Sequence, residues 1–123
     1  MVQAPVLIVE DDETLADAIA RNLRARGYAI SCAGSVAEAT AAMHEQLPAL
    51  VLLDIDLPDG SGWAVARQVR EAKSTIPIVI VSAMQPNSRL CSELGIVGTL
   101  EKPFPLQSLL RLVAAHIRGA ARA

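Results

Sequence analysis

The run Leu50-Val51-Leu52-Leu53 has no polar side and stops at Asp54. A strand wet on one face alternates apolar and polar residues, so a strand without alternation is covered on both faces. That is the habit of a parallel sheet sandwiched between helices. Pro5 to Val9 repeats the pattern and halts at Glu10-Asp11-Asp12, and Ile76 to Val81 repeats it and halts at Ser82. Tyr28 to Ala33 and the brief Val97 to Leu100 complete the set of predicted strands.

Helical periodicity fills the intervals. From Thr14, residues Leu15, Ala16, Ile19, Ala20 and Leu23 recur on one face, with Arg24 and Arg26 in the last turn and Gly27 as the stop. Ser35 with Glu38 three positions on opens an alanine-rich helix reaching Gln46, and Pro48 follows it. Leu57 to Gly62 carries turn chemistry, and Trp63 to Ala72 resumes a helix through Val65, Ala66 and Val69. A short helix over Asn87 to Leu94 and a closing one over Pro105 to Ile117 complete the alternation. The fold class this predicts is α/β: a doubly wound five-stranded parallel sheet with right-handed crossovers, flanked by five helices.

The 123 residues are 52% hydrophobic, which suffices for one core and leaves no room for a second domain. With 11 basic and 13 acidic side chains and a formal charge of -2, nothing predicts nonspecific binding to nucleic acid or membranes. Cys32 and Cys91 have no metal-ligand or redox spacing and read as reduced thiols of a cytoplasmic protein. No apolar run approaches the roughly 20 residues of a membrane span.

In doubly wound sheets the binding crevice lies beyond the carboxyl ends of the strands, where strand order reverses. Asp11 and Asp12 follow the first predicted strand, Asp54 the third, Ser82 ends the fourth, and Lys102 follows the fifth. Carboxylates crowded at one edge repel each other, and a shared proton or a divalent cation relieves this. Mg²⁺ suits such a set of hard oxygen donors. His44 and His116 fall on helices away from this edge, which argues against zinc or copper. A lysine and a hydroxyl beside a metal-bound carboxylate are groups that neutralise a transferring phosphoryl group. The plainer alternative makes Lys102 a structural ion pair and Ser82 a helix cap.

In this order and spacing, Asp11-Asp12, Asp54 within Leu52-Leu53-Asp54-Ile55-Asp56-Leu57-Pro58-Asp59-Gly60-Ser61-Gly62, Ser82-Ala83 and Lys102-Pro103-Phe104 resemble the receiver domains of bacterial response regulators. The resemblance covers nearly the whole chain and implies a flavodoxin-like sheet of order 2-1-3-4-5, as in the chemotaxis regulator. It implies that Asp54 takes a phosphoryl group from a histidine kinase or a histidine phosphotransfer protein. Asp11, Asp12, Asp54 and the backbone carbonyl of Asp56 would surround Mg²⁺, while Ser82 and Lys102 grip the acyl phosphate, with Lys102-Pro103 in the cis form. A face made of the fourth helix, fifth strand and fifth helix would meet a downstream protein target or a second copy. Residues 1–119 would form the receiver and 120–123 a frayed tail or clipped linker, of a stand-alone regulator or of the N-terminal part of a longer one.

The chain departs from that pattern at Thr99, where many receivers carry an aromatic switch residue. The stretch from Ser82 to Lys102 is short for the family and contains Pro86, which predicts a short or mobile fourth helix. Asp56 and Met84 sit where side chains influence water access to an acyl phosphate, and Asp56 is expected to affect its lifetime. Trp63 reads as a packing residue, and Arg111, Arg118 and Arg122 as solvated surface. Two rivals stand beside this reading. One is a haloacid-dehalogenase-type phosphohydrolase using Asp54-Ile55-Asp56; the other is a receiver-like interaction module that is never phosphorylated.

Overall fold

A computed structural model describes residues 4–73 and 75–121. In chain order the elements are β1 (Val6–Val9), α1 (Glu13–Ala25), β2 (Ile30–Ala33), α2 (Val36–Glu45), β3 (Leu50–Leu53), β4 (Asp56–Leu57), β5 (Gly60–Ser61), α3 (Gly62–Ala72), β6 (Ile78–Ser82), α4 (Ser88–Glu93), β7 (Gly98–Glu101) and α5 (Leu106–Ala121). Five strands pair in parallel in the order β2-β1-β3-β6-β7, which is 2-1-3-4-5 counted on the sheet strands alone. The chain steps outward from β1 to β2 and then returns past β1 to β3, so strand order reverses between β1 and β3. The crevice at that reversal is bordered by Glu10, Asp11 and Asp54.

Successive side chains of a strand point to opposite faces, and the core divides accordingly. Val6, Ile8, Leu50, Leu52, Val79 and Val81 meet Ile19 and Leu23 of α1 and Leu109 and Val113 of α5. Leu7, Val9, Val51, Leu53, Ile78 and Ile80 meet Ala39 and Met43 of α2 and Val65 and Val69 of α3. β1, β3 and β6 are buried throughout, as their unbroken apolar runs require. Truncating one such residue, for example Leu52→Ala, removes about 2–5 kcal/mol.

Helix ends follow their local chemistry. Asp12 caps α1 by accepting the Leu15 amide, and Ser35 caps α2 by accepting the Glu38 amide. α1 terminates at Gly27, whose φ of +94° is open to glycine, while the Tyr28 amide bonds back to the Leu23 carbonyl.

Four differences from the sequence reading have physical causes. α1 begins at Glu13, one residue before Thr14, because Asp12 is a strong cap and Glu13 suits the first turn. The second strand begins at Ile30 rather than Tyr28, because the Tyr28 amide finishes the α1 cap. The segment read as a turn after Asp54 contains a small antiparallel hairpin, with Asp56 opposite Ser61 and Leu57 opposite Gly60. The closing helix continues past Ile117 to Ala121, through the first residues assigned to the tail, and residues 122–123 lie outside the described residues. α4 is a six-residue helix with no buried side chain, in line with the expectation drawn from Pro86. Among the described residues, no helix is long and apolar enough to cross a membrane.

Candidate functional site

The strand ends bring acids, a hydroxyl and an ammonium to one edge. Asp54 follows β3 and is buried; its amide bonds the Val9 carbonyl at 2.9 Å, so backbone pairing holds it in line with β1. Its Oδ1 accepts the Asp56 amide at 3.1 Å, and its Oδ2 lies 3.2 Å from Lys102 Nζ. Ser82, also buried, ends β6 and accepts the Lys102 amide on its carbonyl at 2.7 Å. Its hydroxyl oxygen accepts the Met84 amide at 3.3 Å. The Lys102-Pro103 peptide is cis, as the resemblance implies.

Glu10, which the sequence reading passed over, completes the group. It is 6% exposed, and its Oε1 lies 2.7 Å from Lys102 Nζ. Its Oε2 accepts the Asp12 amide at 3.2 Å. Carboxylate oxygens of Glu10, Asp11 and Asp54 fall within 4.8 Å of one another. Burial, reinforced by the charge of Asp54, pushes the Glu10 carboxyl up to about 6 against the lowering effect of Lys102 and the Asp12 amide. Burial would also lower the Lys102 ammonium, but Glu10 and Asp54 outweigh it and hold the pKa above the usual lysine value.

Of the residues expected here, the Asp11, Asp54 and Lys102 side chains converge, and Ser82 joins them through its carbonyl on the Lys102 amide. The Asp12 carboxylate does not join the acidic group: its Oδ1 accepts the Leu15 amide at 3.2 Å as the α1 cap, and the acidic pair of the crevice is Glu10 with Asp11. A signal for this was present in the sequence, since Asp12 followed by Glu13 is a helix-start pattern that commits Asp12 to capping. The Asp56 side chain is exposed, and its backbone joins the site through Asp54.

Gly62 supports Asp54 from behind. Its amide bonds the Ile55 carbonyl at 2.7 Å, and a Cβ there would come within 2.1 Å of the Asp54 carbonyl oxygen. Trp63 is half-buried against the α2/α3 side of the core, as its packing reading expects. Tyr28 and Phe104 both pack on the opposite face of the sheet, and Thr99 on β7 is exposed. His44 and His116 take no part in the acidic group, and both cysteines are free.

Three carboxylates against one ammonium leave an excess of negative charge at an edge open to water through Asp11. Hard oxygen donors around such an excess fit Mg²⁺, and the absence of thiol or imidazole donors does not favour softer metals. A family model described as the response regulator receiver domain matches residues 6–114. The chain belongs to that family: it is a receiver domain of the two-component response regulators. Among solved structures, it is similar to a CheY-like receiver domain protein from Methanospirillum hungatei JF-1, with TM-score 0.90 and 23% identity over 98% of each chain. It also resembles the non-phosphorylated HemR receiver domain from Leptospira biflexa, with TM-score 0.86 and 30% identity over 94% of this chain and 95% of that one. A two-component response regulator from Clostridium difficile matches at TM-score 0.85 and 27% identity, over 94% of this chain and 97% of that one.

Proposed function

We propose that this receiver domain accepts a phosphoryl group on Asp54 from the phosphohistidine of a histidine kinase or a histidine phosphotransfer protein, in a Mg²⁺-dependent reaction. The observation that carries the reading is Lys102 Nζ 3.2 Å from Asp54 Oδ2, with one carboxylate oxygen each of Glu10, Asp11 and Asp54 within 4.8 Å of one another.

In the step, an Asp54 oxygen attacks phosphorus and forms the new O–P bond as the P–N bond to the donor imidazole breaks. The electron pair leaves with the imidazole nitrogen, which takes a proton. Catalysis here consists of positioning and charge neutralisation. The Asp56 amide holds one Asp54 oxygen. Lys102 supplies a fixed positive charge beside the other, and the Ser82 hydroxyl offers a donor to a phosphoryl oxygen. Asp11, Asp54 and the Asp56 carbonyl would hold Mg²⁺, with Glu10 as an additional acid in place of Asp12. The cation supplies neutralisation of the phosphoryl oxygens. The α4, β7 and α5 face is the proposed surface for a downstream protein or a second copy, and neither α4 nor β7 has a fully buried side chain.

Mass spectrometry after treatment with acetyl phosphate and Mg²⁺ tests the reading. One added phosphoryl group, lost in Asp54→Asn and on removal of Mg²⁺, is the expected result. Sustained release of phosphate from a chromogenic ester would instead select the phosphohydrolase alternative.

A further inference from the structure

The tip of the β4–β5 hairpin is tied to a helix that gives no side chain to the acidic group. Asp59 occupies the turn between Leu57 and Gly60. Its Oδ1 accepts the Val36 amide at 2.7 Å and its Oδ2 the Ala37 amide at 3.0 Å, both from the first turn of α2. α2 already has its own cap, Ser35 Oγ, which accepts the Glu38 amide at 3.1 Å. Asp59 therefore takes the amides that Ser35 leaves over, and it reaches them from a distant part of the chain.

The other end of the same hairpin touches the site. β4 begins with Asp56, whose amide donates to Asp54 Oδ1 at 3.1 Å. A hairpin with strands this short has no stability of its own in water, so its geometry depends on its anchors. Three are present: Gly62 N on the Ile55 carbonyl at the base, the buried Leu57 along its length, and Asp59 on α2 at the tip. The outer two are polar, and the tip is exposed, so Asp59 is the anchor that solvent competes with most directly.

We propose that Asp59 is a positioning residue for the acidic crevice: by clamping the hairpin tip to α2, it holds the Asp56 backbone against Asp54 and so fixes oxygens that bind Mg²⁺. The inference rests on the Mg²⁺ and phosphoacceptor reading above and adds a residue that touches neither group.

Amide chemical-shift titrations of isotope-labelled protein with MgCl₂ alone provide the test, comparing the parent with Asp59→Ala, Asp59→Asn and Ser35→Ala. Partners of metal ligands typically change affinity 10–100-fold, and a residue one step further out is expected to raise the Mg²⁺ Kd about 3–10-fold in Asp59→Ala. Asp59→Asn keeps one acceptor oxygen and should show a smaller rise. Ser35→Ala weakens the start of α2 without releasing the hairpin, and should keep the parent Kd. An unchanged Kd in Asp59→Ala overturns the proposal. So does a Kd raised equally in Ser35→Ala, because the effect would then belong to helix stability. A parent that shows no saturable Mg²⁺ response overturns the magnesium reading itself, so the two failures are told apart by the parent alone.

Discussion

The Lys102 ammonium lies closer to Glu10 Oε1, at 2.7 Å, than to Asp54 Oδ2, at 3.2 Å. The lysine is thus shared between an acid proposed to react and one that does not, and the second acid keeps it from closing a tight pair with the first.

Removing that second acid charge should make the crevice less attractive to cations while leaving the fold intact. Glu10→Gln keeps the side-chain length and an acceptor for the Asp12 amide, but loses one negative charge and releases Lys102 toward Asp54. The expected result is a Mg²⁺ Kd raised about 10-fold, read from the Mg²⁺ dependence of acetyl phosphate labelling.

Gly62→Ala tests the close approach behind Asp54. The added methyl would lie 2.1 Å from the Asp54 carbonyl oxygen and 2.8 Å from the Ile55 Cα, and both are backbone atoms that cannot rotate away. A loss of about 1–3 kcal/mol or more in urea unfolding is expected, with a matching fall in phosphorylation rate. Parent-like stability and labelling would contradict the geometry.

Arg70 on α3 braces the far end of α4. Its guanidinium donates to the Leu94 carbonyl at 2.6 Å, to Ile76 at 2.8 Å and to Gly95 at 3.3 Å. A lysine offers a single ammonium and cannot reproduce that fork. Arg70→Lys is expected to cost about 1–3 kcal/mol. It should also speed amide hydrogen exchange in residues 88–96 more than elsewhere.

The bonds from Val36 and Ala37 hold the Asp59 carboxyl below its ordinary value of 3.8. A depressed carboxyl binds fewer protons folded than unfolded, so its stabilising effect is complete above 3.8 and fades as pH falls through the folded value. Thermal unfolding from pH 5 to pH 3 should therefore show the parent losing its advantage over Asp59→Asn only at the acid end. A constant difference across the range would contradict this.

Asp56 is exposed beside Asp54, the proposed phosphoacceptor, and is expected to influence how water reaches an acyl phosphate. If its carboxylate helps orient that water, Asp56→Asn will dephosphorylate more slowly than the parent. Equal rates in phosphoryl-lifetime measurements would end the idea.

Much of this architecture could be read before any coordinates, because apolar runs that stop at acids announce buried parallel strands and their polar edge. Asp11, Asp54, Ser82 and Lys102 were legible for that reason: each stands where a strand ends. Glu10 was missed because the helix-start pattern of Asp12 and Glu13, which takes Asp12 out of the crevice and leaves Glu10 with Asp11 as its acidic pair, was not weighed against the resemblance. The β4–β5 hairpin escaped notice because its strands are too short to show a period. Arg70 with Leu94, and Asp59 with Val36, were out of reach because they are polar contacts between residues distant in sequence, and nothing in local spacing marks them.

The direct bond from the Lys102 amide to the Ser82 carbonyl, at 2.7 Å, means that β6 and β7 stay zipped up to the very rim of the crevice. The Ser82 and Lys102 backbones are therefore mounted on one stiff plate, while the ammonium at the end of the lysine stem is held by Glu10 and Asp54. Glu10 and Asp54 are seated the same way, through their amides on the Ala33 and Val9 carbonyls, so the freer part of the rim is the exposed Asp11 and the short hairpin after Asp54, where substitutions disturb the frame least.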